Sequence, residues 1–372
     1  MANTVSTSAL RAQIWLNELM KDQKDSLYFE QREMMGTDAN NIIQVKEDLK
    51  KQAGDRVTFG LTLKIGGGVT GDSELEGNEK AITSYGQSNI IDQIRNAVRL
   101  TGKLDEQKVA YDMRMDAKEQ LAKWRVEFIE RQIFMKLGGV TTLTLTDVGG
   151  VVYSDYATWS NSPNVVPAAD EAAGTGTRYV CAKSTGIDAI ANTDILTTTL
   201  ITKARIKGSI SSLGTPSLQP LRIDGQNYYV MFIHPWQAYD LKTAASSVWA
   251  QAQRDAQIRG GDNPIFTGSL GIWDGVILHE HEYVPTAAAA AAFSVGGTAV
   301  NAGARVFRGL LVGRQAATFA ECQNPNGWVE ETFDYKNKVG FETGLIGGIQ
   351  KTAFNSVDYS VISVDTGATD LS

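Results

Sequence analysis

Among 372 residues the 42 carboxylates form no pattern that stands out from a solvated surface, and the other side chains best suited to chemistry are few, three histidines and two cysteines. His279 and His281 lie two apart in the stretch Gly275 to Glu282, which reads as a strand, so both rings point to one face and Glu280 and Glu282 to the other. Two imidazoles on one face supply half of a zinc-type ligand set, and a metal-dependent hydrolase would need further ligands from elsewhere. The third histidine, His234, precedes a proline at a strand end. The competing reading is a strand face whose histidines are exposed or satisfied by neighbours, and spacing leaves both open. Gly66-Gly67-Gly68-Val69-Thr70-Gly71 follows a strand, where a phosphate loop would sit, but it lacks the Lys-Ser/Thr ending and a following helix, so a hairpin tip fits better. No G-x-S-x-G elbow supports a nucleophile. Cys181 and Cys322, 141 positions apart, read as small buried hydrophobes in a reducing compartment.

Composition narrows the classes further. With 42% hydrophobic and 21% charged residues, 36 Gly and 8 Pro, the chain reads as a folded body of two or more lobes. A formal charge of −7 argues against a generally basic nucleic-acid binder. The start has no basic segment followed by an apolar one, so no signal peptide is read. The uncharged stretch Val284 to Ala304 is Ala, Gly, Thr, Ser and Asn behind Pro285, too poor in Leu, Ile and Phe to span a membrane.

The elements that would position any site follow from periodicity. The first ~55 residues hold too little apolar material for a core of their own. Trp15, Tyr28 and Phe29 nevertheless demand burial worth roughly 1.5–3 kcal/mol each, so this segment reads as an arm packed on another surface. Val57, Phe59, Leu61, Leu63 and Ile65 alternate with polar residues as a half-buried strand, and residues 81–91 could return as its partner. The two legs form a hairpin that cannot bury itself, with a polar, acidic tip. Residues 105–137 carry the strongest helical stripe, Ala110, Met113, Ala117, Leu121, Trp124 and Phe128, with Asp105 as expected cap, Gly138-Gly139 as stop, and a solvated face of seven basic and seven acidic residues. A second helix is expected over 193–212, capped by Asn192 or Thr193. A buried strand Tyr228 to Ile233, a helix from Pro235 to Ala256, a strand from Gly275 and a core run from Leu310 to Ala317 make an α+β lobe. Ala287 to Ala292 reads as a loop insertion, and residues 339–364 as strands closing the first lobe.

This order of parts, with particular runs, resembles a known family. The runs are Gly71-Asp72-Ser73-Glu74-Leu75-Glu76-Gly77-Asn78-Glu79, Ile91-Asp92-Gln93-Ile94-Arg95-Asn96-Ala97-Val98-Arg99, Glu106-Gln107-Lys108-Val109-Ala110-Tyr111-Asp112, Tyr229-Val230-Met231-Phe232-Ile233-His234-Pro235 and Phe266-Thr267-Gly268-Ser269-Leu270-Gly271. They are similar to the major capsid proteins of tailed bacteriophages of the phage N4 type, and the likeness extends from about residue 50 to the end. The resemblance implies an α+β, HK97-type capsid fold: N-terminal arm 1–54, E-loop hairpin 55–92, P domain 93–192 with its spine helix, A domain 193–320, and return strands of the P domain 321–372. It implies a non-catalytic subunit with no cofactor that self-assembles into hexamers and pentamers of an icosahedral shell around double-stranded DNA. The virion capsid is its location, assembled in the bacterial host cytoplasm.

The partners so implied are copies of the chain, a separate scaffold, a portal and decoration proteins, with no membrane and no sequence-specific DNA binding. Inter-subunit contacts are expected at Trp15, Phe29, Phe59, Leu61, Leu63, Thr70, Asp72, Glu74 and Glu76. The resemblance supplies no catalytic residues, and no motif supports the lysine–asparagine cross-linking of some relatives. An encapsulin-like nanocompartment shell is the alternative within the fold, and the metal-dependent hydrolase at His279 and His281 the alternative outside it.

Overall fold

Described in the computed structural model are residues 26–48, 54–62, 69–79, 81–82, 84–108, 112–140, 178–183, 186–210, 217–223, 225–244, 269–287, 304–322, 327–354 and 357–369, with 21, 23, 145–146, 152–153, 294–295 and 298–299. Trp15, Leu63, Gly66 to Gly68, the expected helix over 9–20 and nearly all of the Ala-rich stretch lie outside them.

Two sheets organise the chain. In the first, the long strand Lys338–Lys351 pairs antiparallel with Ala317–Glu321, Val329–Phe333 and Asp92–Arg99, and Ile43–Lys46 adds in parallel to Ala317–Glu321. In the second, Gln226–Ile233 lies between Val276–Glu280, parallel to it, and Val306–Val312, antiparallel; Val361–Gly367 follows, then Tyr179–Cys181. Val306–Val312 and Val361–Gly367 are buried along their whole length, as central strands covered on both faces must be. Alternation within Gln226–Ile233 divides the core. Val230 and Phe232 join Phe134 and Leu137 of the long helix, while Tyr229, Met231 and Ile233 meet Ile201 and Ala204 of helix Thr198–Ser209 and Ala238 and Leu241 of helix Pro235–Ala244.

The long helix spans Met113–Gly138, about 39 Å at 1.5 Å per residue. Its cap is Asp112, whose carboxylate accepts from the Arg114 N–H at 2.9 Å, and Lys103–Lys108 is a separate short helix, so the start expected at Asp105 moves seven residues on. Gly139 ends it in the left-handed region at φ 62°, its N–H on the carbonyls of Met135 and Lys136. The stripe residues Ala117, Leu121 and Phe128 are buried as the period requires. Beyond Phe128 the helix is enclosed on all sides, and Lys118, Arg125, Glu130, Arg131 and Lys136 are buried, not solvated: Arg125 donates to the Gly344 carbonyl of the first sheet at 3.2 Å, and the second sheet packs on the C-terminal half of the helix. The helix expected over 193–212 is shorter, Thr198–Ser209, with Thr197 as cap.

One expectation becomes specific and another changes. The surface on which the arm is expected to pack is, for residues 27–46, the chain's own: Leu27, Phe29, Met34, Ile42 and Ile43 are fully enclosed, and Ile43–Lys46 is a strand of the first sheet. Not all strands after residue 320 return to the first lobe, because Val361–Gly367 takes seven rungs on Val306–Val312 of the second sheet. One apolar cluster therefore runs from Phe319, Leu345 and Ile349 through the long helix to Phe232, Ile277 and Val361.

A charged group sits at this junction. Arg308 and Asp365, both fully buried, form a two-pronged ion pair at 2.8 Å each. Arg308 also donates to the Gly138 carbonyl at 2.9 Å, and the Tyr179 hydroxyl donates to Asp365 at 3.0 Å. Asp365→Ala is expected to lower unfolding free energy by about 3–5 kcal/mol by stranding a buried guanidinium. The double variant Arg308→Met with Asp365→Leu should recover part of that loss. Urea unfolding of the isolated subunits checks both, and a single variant as stable as the parent would contradict this account.

Candidate functional site

The hairpin strands Arg56–Thr62 and Ser84–Ile90 pair antiparallel, placing Val57 opposite Asn89, Phe59 opposite Gln87 and Leu61 opposite Tyr85. At the base the outgoing strand buries Val57 and Phe59 against Ala320 and Cys322, and the Lys46 ammonium lies 4.6 Å above the Phe59 ring. The returning strand turns two amides inward. Asn89 donates to the Gly348 carbonyl at 2.9 Å; Gln87 donates to the Lys351 carbonyl at 2.7 Å and accepts from the Ala353 N–H at 2.9 Å. Gly348 is required here, since a Cβ would stand 2.4 Å from the Ile90 carbonyl oxygen.

At the far end Thr70, Asp72, Glu74 and Glu76 are all exposed. The turn is internally built: Asn78 N–H donates to Leu75 O at 3.0 Å, the Asn78 amide to Glu74 O at 2.9 Å, and Gly77 N–H to the Glu79 carboxylate at 2.8 Å. Leu75 is 61% exposed and Ile82 63%, so the tip offers apolar side chains that its own chain does not cover.

The expected contact residues thus separate. The four tip residues are available to another molecule, whereas Phe59 is 5% exposed and Phe29 is fully buried against Phe134 and Phe232, ring centroids at 5.4 and 5.6 Å. Phe29 is therefore corrected to a core residue. The side chain of Leu61, like all of Trp15 and Leu63, lies outside the described residues. Gln87 and Asn89 were not singled out from sequence, although polar residues on the inward parity of a strand are a signal that could have found them.

The histidine pair faces inward too. His279 is fully buried, with its Nδ1 3.0 Å from the Tyr28 hydroxyl. His281 stacks on Phe134 at 4.5 Å and meets the Tyr28 ring at 4.7 Å. Its Nε2 lies 3.9 Å from Glu130, which accepts the Tyr28 N–H at 2.7 Å. Among the described residues no group of three or more His, Cys, Asp or Glu is placed to hold a metal ion. The rings join the segment at Tyr28, the long helix and strand Val276–Glu280. Cys181 and Cys322 are free thiols, half-buried and buried.

Burial pushes His281 down to about 4, helped by the Arg32 and His234 charges, and burial alone pushes His234 to about 4. His281 and Glu130 are thus not an ion pair at neutral pH. Burial raises Glu130 to about 6, with Glu127 and Glu282 adding to the rise and the Tyr28 N–H opposing it. Between pH 6.5 and 4 the unfolded chain binds more protons at the two histidines, so their contribution to stability is lost as pH falls. Glu130 acts oppositely, its cost being relieved below pH 6. Together the three groups predict a loss of roughly 3 kcal/mol between pH 7 and 4.5. In His281→Phe, which keeps the stack, their contribution should shrink by more than half; denaturant titrations at the two pH values check this, and an unchanged slope would refute it.

A family model described as phage capsid protein matches residues 3–370. The major capsid protein of Pseudomonas phage KPP25 is 28% identical over 368 residues, covering 95% of this chain and 94% of that protein. The capsid of Ralstonia phage GP4 superposes with a TM-score of 0.79 at 30% identity, over 93% of this chain and 92% of the other. The cyanophage Pam1 capsid asymmetric unit has a similar fold, TM-score 0.66 at 20% identity, over 99% and 96%.

Proposed function

The chain belongs to the phage capsid protein family, and from that premise we propose that its copies close into hexamers and pentamers of an icosahedral shell around double-stranded DNA. Its role is structural: it is a major capsid protein of the HK97-type fold and forms the shell of the virion by self-association.

The hairpin is the observation that carries the proposed arrangement. Its base is held by apolar and amide contacts on its own subunit, while Leu75, Ile82 and the acidic tip are left without cover. A neighbouring copy is the surface that repetition in a shell supplies, and subunit interfaces of this kind exceed ~2,000 Å² in many obligate assemblies. In this reading the hairpin is the E-loop, and the long helix with the first sheet is the P domain. The second sheet with its two helices is the A domain facing the capsomer centre. The net charge of −7 suits a container that holds DNA without gripping many phosphates. A separate scaffold, a portal and decoration proteins complete the proposed partners, and the host cytoplasm is the proposed place of assembly. Family membership favours a genome-enclosing shell over a nanocompartment.

Deleting residues 66–80 tests the arrangement. The subunit is expected to fold, with a melting temperature within a few degrees of the parent, and to yield capsomers or free subunits in place of closed shells. Negative-stain electron microscopy with size-exclusion chromatography reads the result; normal closed particles from the deletion would remove the hairpin from the assembly mechanism.

A further inference from the structure

The hairpin is a lever whose fulcrum is a single rung. Phe59 and Gln87 are its last described pair with both side chains buried; past them Ser84 and Gly86 are exposed and Tyr85 only half-buried. From Gln87 back to Leu75 an extended leg reaches at most about 40 Å, so a 10° error at the rung displaces the tip by about 7 Å. Something at the base must therefore fix an angle, not merely hold an area. Val57 and Phe59 against Ala320 and Cys322 cannot do this alone, because apolar contact is non-directional. Gln87 can. Its side-chain amide donates to Lys351 O and accepts from Ala353 N–H, occupying the place of a peptide group on the edge of that strand.

The receiving segment is itself rigid. Thr352 N–H donates to Ala316 O at 3.0 Å, Tyr359 N–H donates to Thr352 O at 3.0 Å, and Lys351 Nζ is paired with Asp358 at 2.5 Å with both side chains fully buried. Arg178 in turn donates to the Asp358 carbonyl at 2.9 Å. The amide thus ties the lever to strands anchored in both sheets.

We propose that Gln87 is the positioning residue that sets the direction in which the hairpin leaves the subunit, and through it the geometry of contact with the neighbouring copy. The inference rests on the reading that the hairpin overlaps a neighbour. Asn89, two residues nearer the body and bonded to Gly348, holds the base but lies below the fulcrum.

The test compares Gln87→Met, which keeps length and loses both hydrogen bonds, with Gln87→Glu, which keeps the acceptor for Ala353 and loses the donor to Lys351. The 66–80 deletion runs beside them, and each full chain is produced under conditions where the parent assembles. Closed particles are expected to fall about tenfold or more in Gln87→Met, with survivors irregular in diameter, while the soluble subunit keeps a melting temperature within about 5 °C of the parent. Gln87→Glu should show the same irregular diameters, and it carries the test alone if the Met variant does not fold. Normal yield and diameter in both variants while the deletion stops assembly would overturn the role of Gln87 and leave the hairpin reading intact. A yield that falls only in step with melting temperature, with normal survivors, would overturn it as well. Normal shells from the deletion would remove the reading and the inference together.

Discussion

Arg308 and Asp365 face each other without access to water, and the arrangement of the subunit hangs on that pair. Two ions taken out of water lose several kcal/mol of hydration each, which the interior returns only if every donor and acceptor is matched. Here the guanidinium spans the Asp365 carboxylate and the Gly138 carbonyl, and Tyr179 completes the carboxylate. The carbonyl lies in the last turn of the long helix, where the helix dipole is negative and a buried cation is favoured. The pair thus fixes the helix end against two central strands of the second sheet, Val306–Val312 and Val361–Gly367. Chain continuity does the rest: Val306–Val312 runs on through four residues to Ala317–Glu321 in the first sheet, so both lobes share one core.

A second seam depends on this placement. Once the C-terminal half of the helix lies on the second sheet, Glu130 comes against His281, and the segment at Tyr28 fills the remaining gap. Tyr28 serves as a polar bridge, its N–H on Glu130 and its hydroxyl beside His279, while Phe29 packs among Phe134 and Phe232. The histidines that spacing alone made candidates for metal chemistry are held in aromatic packing, and desolvation keeps His281 uncharged at neutral pH.

The hairpin is the complement of this rigid body. Its base is read by directional amides, and its tip carries exposed apolar and acidic side chains. The subunit thus joins a densely packed core to a projection whose Leu75 and Ile82 its own described residues leave exposed. The buried amides also bear on strand pairing, since Gln87 occupies a backbone edge that would otherwise be open to pairing with another chain.

Sequence by itself determined the pieces whose evidence is local. The alternation of Val57 and Phe59, the stripe of Ala117, Leu121 and Phe128, the glycine stop at Gly139 and the apolar run ending at Ile233 each follow from side chains a few positions apart. The resemblance of whole runs to phage capsid proteins carried the fold and the role. Tertiary structure alone decided which sheet Val361–Gly367 joins, why charged residues of the long helix are buried, that Phe29 is core, and that Gln87 bonds to the Lys351–Ala353 segment. Those outcomes rest on partners far along the chain, Gln87 and Lys351 being 264 positions apart and Arg308 and Asp365 57. Periodicity reports which face of an element is buried, but a hydrogen bond or ion pair between distant strands leaves no periodic trace, and only the packing of the whole chain brings its two ends together.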